Sequence, residues 1–318
     1  MFFDLDEDER ALQEGIRDLL AGRVTMDVVR AAADTDGVDR LLWAELADAG
    51  VFALRLPEAE GGLGLGMTHA TVVFEELGRC LVPGPLVATH AAARLIEGVA
   101  TGDRIVTAVA GGSGVIAHLA AADDLVVTRP EVLRIARPDD VVGVAATRPL
   151  DPLTPVHHVP DLPTGQPLGE QAAAPAWQRE AAVLTAAQLL GLALRATDMA
   201  VAYAKQREQF GKPIGAFQAV KHLCADMLTR AEVARAAVYS AAVHLDDPDL
   251  GGVDRAVDAA VVLAAEAAQR NGKACIQVHG GMGFTWEVDA HLVLKRAMAL
   301  SASIGANDER LDALAATA

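Results

Sequence analysis

The sequence contains only three cysteines, Cys80, Cys224 and Cys275, and they lie far apart. An odd number of widely spaced cysteines argues against a disulfide framework or a zinc site. Long apolar runs are also missing, because the longest uncharged stretch, residues 105–122, is interrupted by three glycines and a histidine. This disfavours a membrane-spanning helix. The chain begins Met-Phe-Phe-Asp-Leu-Asp-Glu, with no secretory leader, so we expect a soluble, reduced, cytoplasmic protein without membrane contact.

Positive charge is scarce as well. The chain has 27 Lys and Arg residues against 43 Asp and Glu residues, a net charge of −16. Such an acidic chain repels nucleic acid, so we expect no nucleic-acid partner. The negative charge lies mainly in residues 1–175, whose net charge is −14. Residues 176–318 have a net charge of only −2 and hold all five lysines. The acidic surface favours solubility, and the neutral part can hold a bound phosphate.

What the chain has in quantity is apolar residues, 52% of 318, which is enough to bury a sizeable core. Their spacing predicts a mainly α fold in three segments. Residues 1–100 form an N-terminal helical domain, and residues 101–172 form a reduced middle β domain of short, antiparallel strands. Residues 173–318 form a four-helix bundle with short connections. Its predicted helices are Glu180–Gln209, Phe217–Leu245, Val253–His279 and Val288–Ala302.

Two breaks between the bundle helices concentrate unusual residues. The first, residues 207–218, combines Arg207, a good bidentate phosphate ligand, with Phe210, which can lie against a planar ring. The second, residues 277–287, holds three glycines in four positions, which permits close approach of a ligand or another backbone. The alternative for the first break is a tight helix–helix corner with Phe210 and Phe217 in the core, and the alternative for the second break is a glycine-rich turn between helices.

Other candidates for chemistry are weaker. His157 and His158 lie in a proline-rich stretch without a carboxylate or cysteine at metal-ligand spacing, so we expect no metal site. Ser113 lies among glycines that lack the spacing of a nucleophile elbow, which gives no support to hydrolase chemistry.

Taken together, three motifs resemble those of the acyl-CoA dehydrogenase family. They are Leu56-Pro57-Glu58-Ala59-Glu60-Gly61-Gly62-Leu63-Gly64 in the first segment, Arg207-Glu208-Gln209-Phe210-Gly211 with Ile214 and Phe217-Gln218 after it at the first break, and Gln277-Val278-His279-Gly280-Gly281-Met282-Gly283-Phe284 at the second. The resemblance implies an N-terminal helical domain, a β domain and a C-terminal four-helix bundle. It also implies FAD as cofactor and 2,3-dehydrogenation of an acyl-CoA.

By this resemblance, the bundle of one subunit reaches the flavin of its neighbour. Arg207 would contact the FAD pyrophosphate, Phe210 would pack beside the cofactor, and Gln218 would contact the adenosine half. Three residues of the second break, Gln277, Gly280 and Gly281, would complete the site. An acceptor resembling an electron-transfer flavoprotein is also implied.

The departures from the family pattern concern the catalytic base. Most members carry a glutamate after the last bundle helix, but residues 296–305 contain no carboxylate. In other members the base lies near the start of the first long bundle helix, at a position that falls near Ala181 and Ala182. Glu180 is the adjacent candidate for the base, but it lies one position away from the expected place. One position along a helix rotates a side chain by about 100°.

The middle segment also lacks the family's stretches that hold the flavin ring. The chain therefore resembles the smaller subunit of the heteromeric acyl-CoA dehydrogenases of steroid-degrading actinobacteria. In that interpretation a full-length partner supplies the base in an α₂β₂ assembly acting on a steroid-derived acyl-CoA. Two alternatives stay open: a self-sufficient homo-oligomer that uses Glu180, and a structural subunit that has lost FAD.

Overall fold

A computed structural model of the protein describes residues 5–35, 37–170, 173–305 and 307–316. The first four residues, part of the chain start from which we expected no leader, lie outside these ranges. The helices in the described ranges are α1 (Glu7–Arg23), α2 (Met26–Ala32), α3 (Arg40–Asp48), α4 (Met67–Arg79), α5 (Leu86–Ala92), α6 (Ala173–Gln206), α7 (Gln218–Asp246), α8 (Val253–His279), α9 (Ala290–Ser303) and α10 (Asn307–Ala316).

The strands are short. They are β1 (Val106–Ala110), β2 (Val115–Ala117), β3 (Asp124–Thr128), β4 (Leu133–Ala136), β5 (Val144–Ala145), β6 (Val156–His158), β7 (Gln166–Leu168), β8 (Glu208–Gln209) and β9 (Lys212–Pro213). The predicted mainly α fold, with a small β region in its middle and long helices after it, is confirmed. Within the described ranges, no helix has both the length and the apolar character needed to cross a bilayer.

The chain divides into two compact units. The first comprises the described residues of Met1–Arg17, Thr71–Val82 and Ala182–Ala318, and the second comprises those of Asp18–Ala70 and Pro83–Ala181. Helix α6 is continuous through residues 181 and 182, so its first turns belong to the second unit and the rest to the first.

The β region lies in the second unit. One sheet has the order β1-β3-β4-β7 and the other has the order β2-β6-β5. Our prediction that all these strands are antiparallel is wrong for one pair, because β1 and β3 run parallel with Val106 opposite Asp124. The reason is the connection, since residues 111–123 pass through β2 in the other sheet before the chain returns in its original direction.

Apolar side chains close both faces of the larger sheet. On one face Val106 and Val126 pack with Ile96, Val99 and Trp177, and Trp177 lies in the first turns of α6. On the other face a second cluster contains Val109, Ile116, Leu119, Leu125, Val127 and Val159. Successive side chains along β1 and β3 thus lie in the two clusters alternately, because neighbouring side chains of a strand point to opposite faces of the sheet.

The C-terminal helices pack in the first unit through small residues. Along α8, alanines such as Ala260, Ala264 and Ala268 are fully buried. Gly272 lets α9 approach closely, because a Cβ there would lie 3.1 Å from the Leu294 Cα. These short side chains explain how long helices of modest aromatic content form a dense bundle. The polar breaks of the bundle lie at the ends of its helices.

Candidate cofactor-binding site

The first break is a small hairpin between α6 and α7. Strands β8 and β9 pair antiparallel, with Gln209 opposite Lys212, and Phe210-Gly211 forms the two-residue turn. Both turn residues have positive φ, 54° and 76°, as the tight turns of two-residue hairpins require. Phenylalanine rarely adopts this conformation. The turn therefore holds the Phe210 ring out of the fold, and the residue is 91% exposed.

This exposure decides one of the alternatives that the sequence left open. Phe210 is not a core residue, so the corner is not a closed hydrophobic one. Phe217 is half-buried beside it, with the two ring centroids 6.1 Å apart and the rings nearly perpendicular. Lys212 Nζ lies 4.5 Å from the centre of the Phe217 ring. The corner thus presents an exposed aromatic ring with a cation close by.

The polar residues of the first break are exposed. Arg207 directly follows the last residue of α6, and its N–H still donates to the Tyr203 carbonyl oxygen at 2.8 Å. The Arg207 carbonyl oxygen accepts from Ile214 N–H at 2.8 Å, which closes the hairpin. Gln218 is the first residue of α7, and it is exposed like Lys205 and Lys212. The charge of this corner suits an anion such as a pyrophosphate.

Within the second break, α8 ends at His279 and a 3₁₀ stretch, Gly280–Phe284, follows it. Gly280 has φ +61° and ψ −140°, a conformation that residues with a Cβ avoid. A Cβ on Gly280 or Gly281 would meet nothing within 4 Å, whereas one on Gly283 would lie 2.6 Å from the Ile276 carbonyl oxygen. Gly283 therefore serves internal packing, but the first two glycines face open space that another molecule can enter.

The two breaks adjoin through a pair of rings. Tyr203, one turn before Arg207, stacks on His279, the last residue of α8, with centroids 4.2 Å apart. Gln277 is exposed on the same last turn. The structure therefore groups at one end of the bundle all six residues predicted to contact FAD. Tyr203 was not among the candidates, because only the fold shows that its ring lies against His279.

Glu180 lies in the second unit, within an ion pair. Its Oε2 atom is 2.6 Å from Arg55 Nη1, its Oε1 atom is 3.5 Å from His90 Nε2, and its side chain is 13% exposed. His90 Nδ1 donates to the Val51 carbonyl oxygen at 2.9 Å, and burial lowers the pKa of this imidazole. The Glu180 carboxylate therefore lies between the Arg55 guanidinium and the His90 imidazole. Neither Arg55 nor His90 is marked by a motif in the sequence.

The region in which the family resemblance places the base of most members begins here with a buried arginine. Arg296 is buried in α9, and its Nη1 donates to the Val82 carbonyl oxygen at 3.2 Å. Residues 297–305 that follow include no acidic side chain. Among the described residues, no group of three His, Cys, Asp or Glu side chains is placed to hold a metal ion. His157 and His158 lie in β6.

Comparison with known proteins supports the same family at both ends of the chain. A family model for the acyl-CoA dehydrogenase N-terminal domain matches residues 6–103, and one for the C-terminal domain matches residues 179–318. Acyl-CoA dehydrogenase IpdE2 of Mycobacterium tuberculosis is 35% identical over 306 residues, which cover 92% of this chain and 91% of IpdE2. Acyl-CoA dehydrogenase FadE34 of the same organism is 39% identical over 294 residues, but the match covers 84% of this chain and 40% of FadE34.

Solved structures extend the likeness through the middle segment. The Tcur3481-Tcur3483 steroid ACAD superposes with a TM-score of 0.83 at 27% identity, covering 97% of each chain. The ChsE4-ChsE5 complex of Mycobacterium tuberculosis gives a TM-score of 0.84 at 24% identity, covering 99% of this chain and 98% of that one, a likeness of fold. With both terminal domains matched in order and IpdE2 covered almost throughout, this chain belongs to the acyl-CoA dehydrogenase family.

Proposed function

We propose that this chain is one subunit of a heteromeric, FAD-dependent acyl-CoA dehydrogenase. The enzymes of this family depend on FAD. The observation that carries the proposal is the grouping of exposed Arg207, exposed Phe210 and the open Gly280-Gly281 turn at one end of a bundle that offers no carboxylate at residues 296–305. In this interpretation a full-length partner supplies the catalytic glutamate and the rest of the flavin pocket.

The residues at this end fit the cofactor. Arg207 would bind the pyrophosphate, helped by the charges of Lys205 and Lys212, because a planar guanidinium with several N–H donors matches phosphate oxygens. Phe210 would pack beside the cofactor and Gln218 would donate to its adenosine half. The Gly280-Gly281 turn would admit the cofactor closely, with Gln277 beside it. Bound FAD supplies a hydride acceptor for α,β-dehydrogenation of an acyl thioester.

The proposed substrate class and partners rest on the similarity to two solved structures and on the family relationship. The structure described as a steroid ACAD suggests a bulky, steroid-derived acyl-CoA, and the structure described as a complex suggests an assembly of two different chains. We extend the proposal to an α₂β₂ stoichiometry. The family relationship suggests reoxidation by an acceptor resembling an electron-transfer flavoprotein.

The experiment is purification of the tagged chain from its native host, with native mass, absorbance at 450 nm and identification of any second chain. We expect a yellow complex that contains a full-length family member with its own glutamate base. Arg207→Ala should lower the FAD content of that complex at least several-fold. Arg255→Ala is the matched control, because this exposed arginine lies in the first turn of α8, about 36 Å along the helix from His279.

Two other outcomes would overturn the proposal in different ways. A yellow homo-oligomer that is active alone would favour Glu180 as its base, and Glu180→Gln should then abolish flavin reduction by substrate. Flavin reduction that is unchanged in Glu180→Gln would exclude this role. A colourless protein in every complex would instead identify a structural subunit without FAD.

A further inference from the structure

The two breaks are joined by an aromatic pair that none of the motif residues explains. Tyr203 lies in the last turn of α6, four residues before Arg207, and His279 directly precedes Gly280. Their ring planes are 26° apart and the centroids are separated by 4.2 Å. Stacked aromatic pairs stabilise a contact beyond the area that they bury. The pair is therefore a specific contact between the end of one helix and the end of another.

The orientation of the imidazole is fixed from its other side. His279 is buried, and its Nδ1 atom is 2.8 Å from the Cys275 carbonyl oxygen. Because a carbonyl oxygen only accepts, Nδ1 carries a proton and donates it to this oxygen. The ring cannot turn without losing this bond or its stacking on Tyr203. It is held by its own helix on one side and by α6 on the other.

Tyr203 and His279 each adjoin the start of a break through the backbone. The Tyr203 carbonyl oxygen accepts from Arg207 N–H at 2.8 Å. Gly280 N–H donates to the Gln277 carbonyl oxygen, one turn back along α8. A backbone shift at Tyr203 or His279 is therefore passed directly to the start of the hairpin or of the glycine turn.

We propose that Tyr203 and His279 are positioning residues that hold the hairpin of residues 207–216 and the turn of residues 280–285 in one relative arrangement. The stack joins two segments that follow the ends of different helices, α6 and α8. A fixed arrangement lowers the ordering cost when both segments bind one ligand. That the ligand is FAD rests on the function proposed above, but the coupling between the segments does not.

The test is amide hydrogen exchange on the full chain, compared between wild type, Tyr203→Leu and Tyr203→Phe. Tyr203→Leu removes the stacking ring, so we expect amides of residues 280–285 to exchange about 3- to 10-fold faster, although the substitution lies on another helix. Tyr203→Phe keeps the ring and should restore the wild-type rate. Val261→Ala, a fully buried truncation about 27 Å along α8 from His279, controls for general destabilisation and should leave these amides unchanged.

A folded Tyr203→Leu variant with wild-type exchange in residues 280–285 would overturn the proposal, as would equal acceleration in Val261→Ala. A second measurement links the pair to the cofactor: FAD content of the purified complex should fall in Tyr203→Leu and recover in Tyr203→Phe. If exchange responds as expected but wild type binds no FAD in any complex, the proposed function fails and the positioning pair stands. If FAD is bound but exchange does not respond, only the positioning pair fails.

Discussion

Among single side chains, Asn271 has an unusual number of partners. It is fully buried in α8, and its Nδ2 atom lies within 3.2 Å of the Ala193 and Met227 carbonyl oxygens and of Thr197 Oγ1. Its Oδ1 atom accepts from Arg230 Nε at 2.9 Å. One amide thereby connects α6, α7 and α8. Since buried polar groups left without partners are costly, the three helices depend on this residue jointly.

We predict that Asn271→Leu lowers the free energy of unfolding by about 2–4 kcal/mol, because it removes the hydrogen bonds by which this buried amide joins α6 and α7, including the one from Arg230 Nε. Urea denaturation followed by circular dichroism measures the change. Lys273→Leu is the matched control, since Lys273 is exposed on the same helix and should alter stability by less than about 0.5 kcal/mol. Equal midpoints for the two variants would show that the network contributes nothing to stability.

Pairs of helices are brought together by glycines, most closely where α6 meets α4. A Cβ on Gly191 would lie 2.0 Å from the Glu75 carbonyl oxygen and 2.6 Å from Arg79 N. A Cβ on Gly78 would lie 2.2 Å from the Gln188 carbonyl oxygen. The neighbouring atoms are backbone, so they cannot move aside without shifting a helix. The two helices therefore contact each other backbone to backbone.

Gly191→Ala should destabilise the protein by at least about 3 kcal/mol, although alanine favours helix over glycine by about 1 kcal/mol. The comparison is Gly15→Ala in α1, where a Cβ meets nothing within 4 Å and the higher propensity should stabilise by up to about 1 kcal/mol. Thermal unfolding of both variants measures whether each substitution stabilises or destabilises the protein. A stabilised Gly191→Ala would mean that the helices separate at no cost.

How far such elements can be read from the sequence depends on the range of the interaction. The bounds of α8 follow from local apolar spacing and flanking glycines, and its predicted range agrees with the structure. The parallel pairing of β1 and β3 could not be read in this way, because strand direction depends on a connection through a second sheet. The short helix α10 was not predicted, since its apolar residues form no strong stripe.

In the candidate site, too, some residues are marked by the local sequence, whereas contacts between distant positions are not. Arg207, Phe210 and the glycine turn stand out because their residue types are unusual for helix ends and resemble family motifs. The Tyr203–His279 stack and the ion pair of Arg55 with Glu180 join positions more than 70 residues apart in the chain. No local pattern marks such partners, so only the folded arrangement reveals that Glu180 is bound to Arg55.

Taken as a whole, the protein carries two buried titratable groups whose pH dependences oppose each other. In the first unit, burial raises the pKa of Glu75, whose Oε2 accepts from the Tyr239 hydroxyl at 3.1 Å and whose Oε1 lies 3.6 Å from Arg235 Nη2. In the second unit, burial lowers the pKa of His90. The net charge of −16 adds a general repulsion that weakens on acidification. This last effect is common to all variants and cancels when each is compared with wild type.

The signs follow from proton binding. Below the raised pKa of Glu75, the folded chain binds more protons than the unfolded chain, so this group adds stability as pH falls toward its ordinary value of 4.5. Below 6.5, the ordinary value for histidine, the unfolded chain protonates first at His90, so this group loses stability as pH falls.

Between pH 7 and pH 5, the unfolding free energy of Glu75→Gln relative to wild type should therefore decrease, whereas that of His90→Gln relative to wild type should increase. Neither slope can exceed about 1.4 kcal/mol per pH unit, the limit for one proton. Urea unfolding at four or five pH values measures both differences, and Lys273→Leu, which removes an exposed charge on α8, should give a nearly flat line. Parallel lines for the Glu75 and His90 variants would show that burial does not set their titration, and that surface charge alone governs how this acidic protein responds to pH.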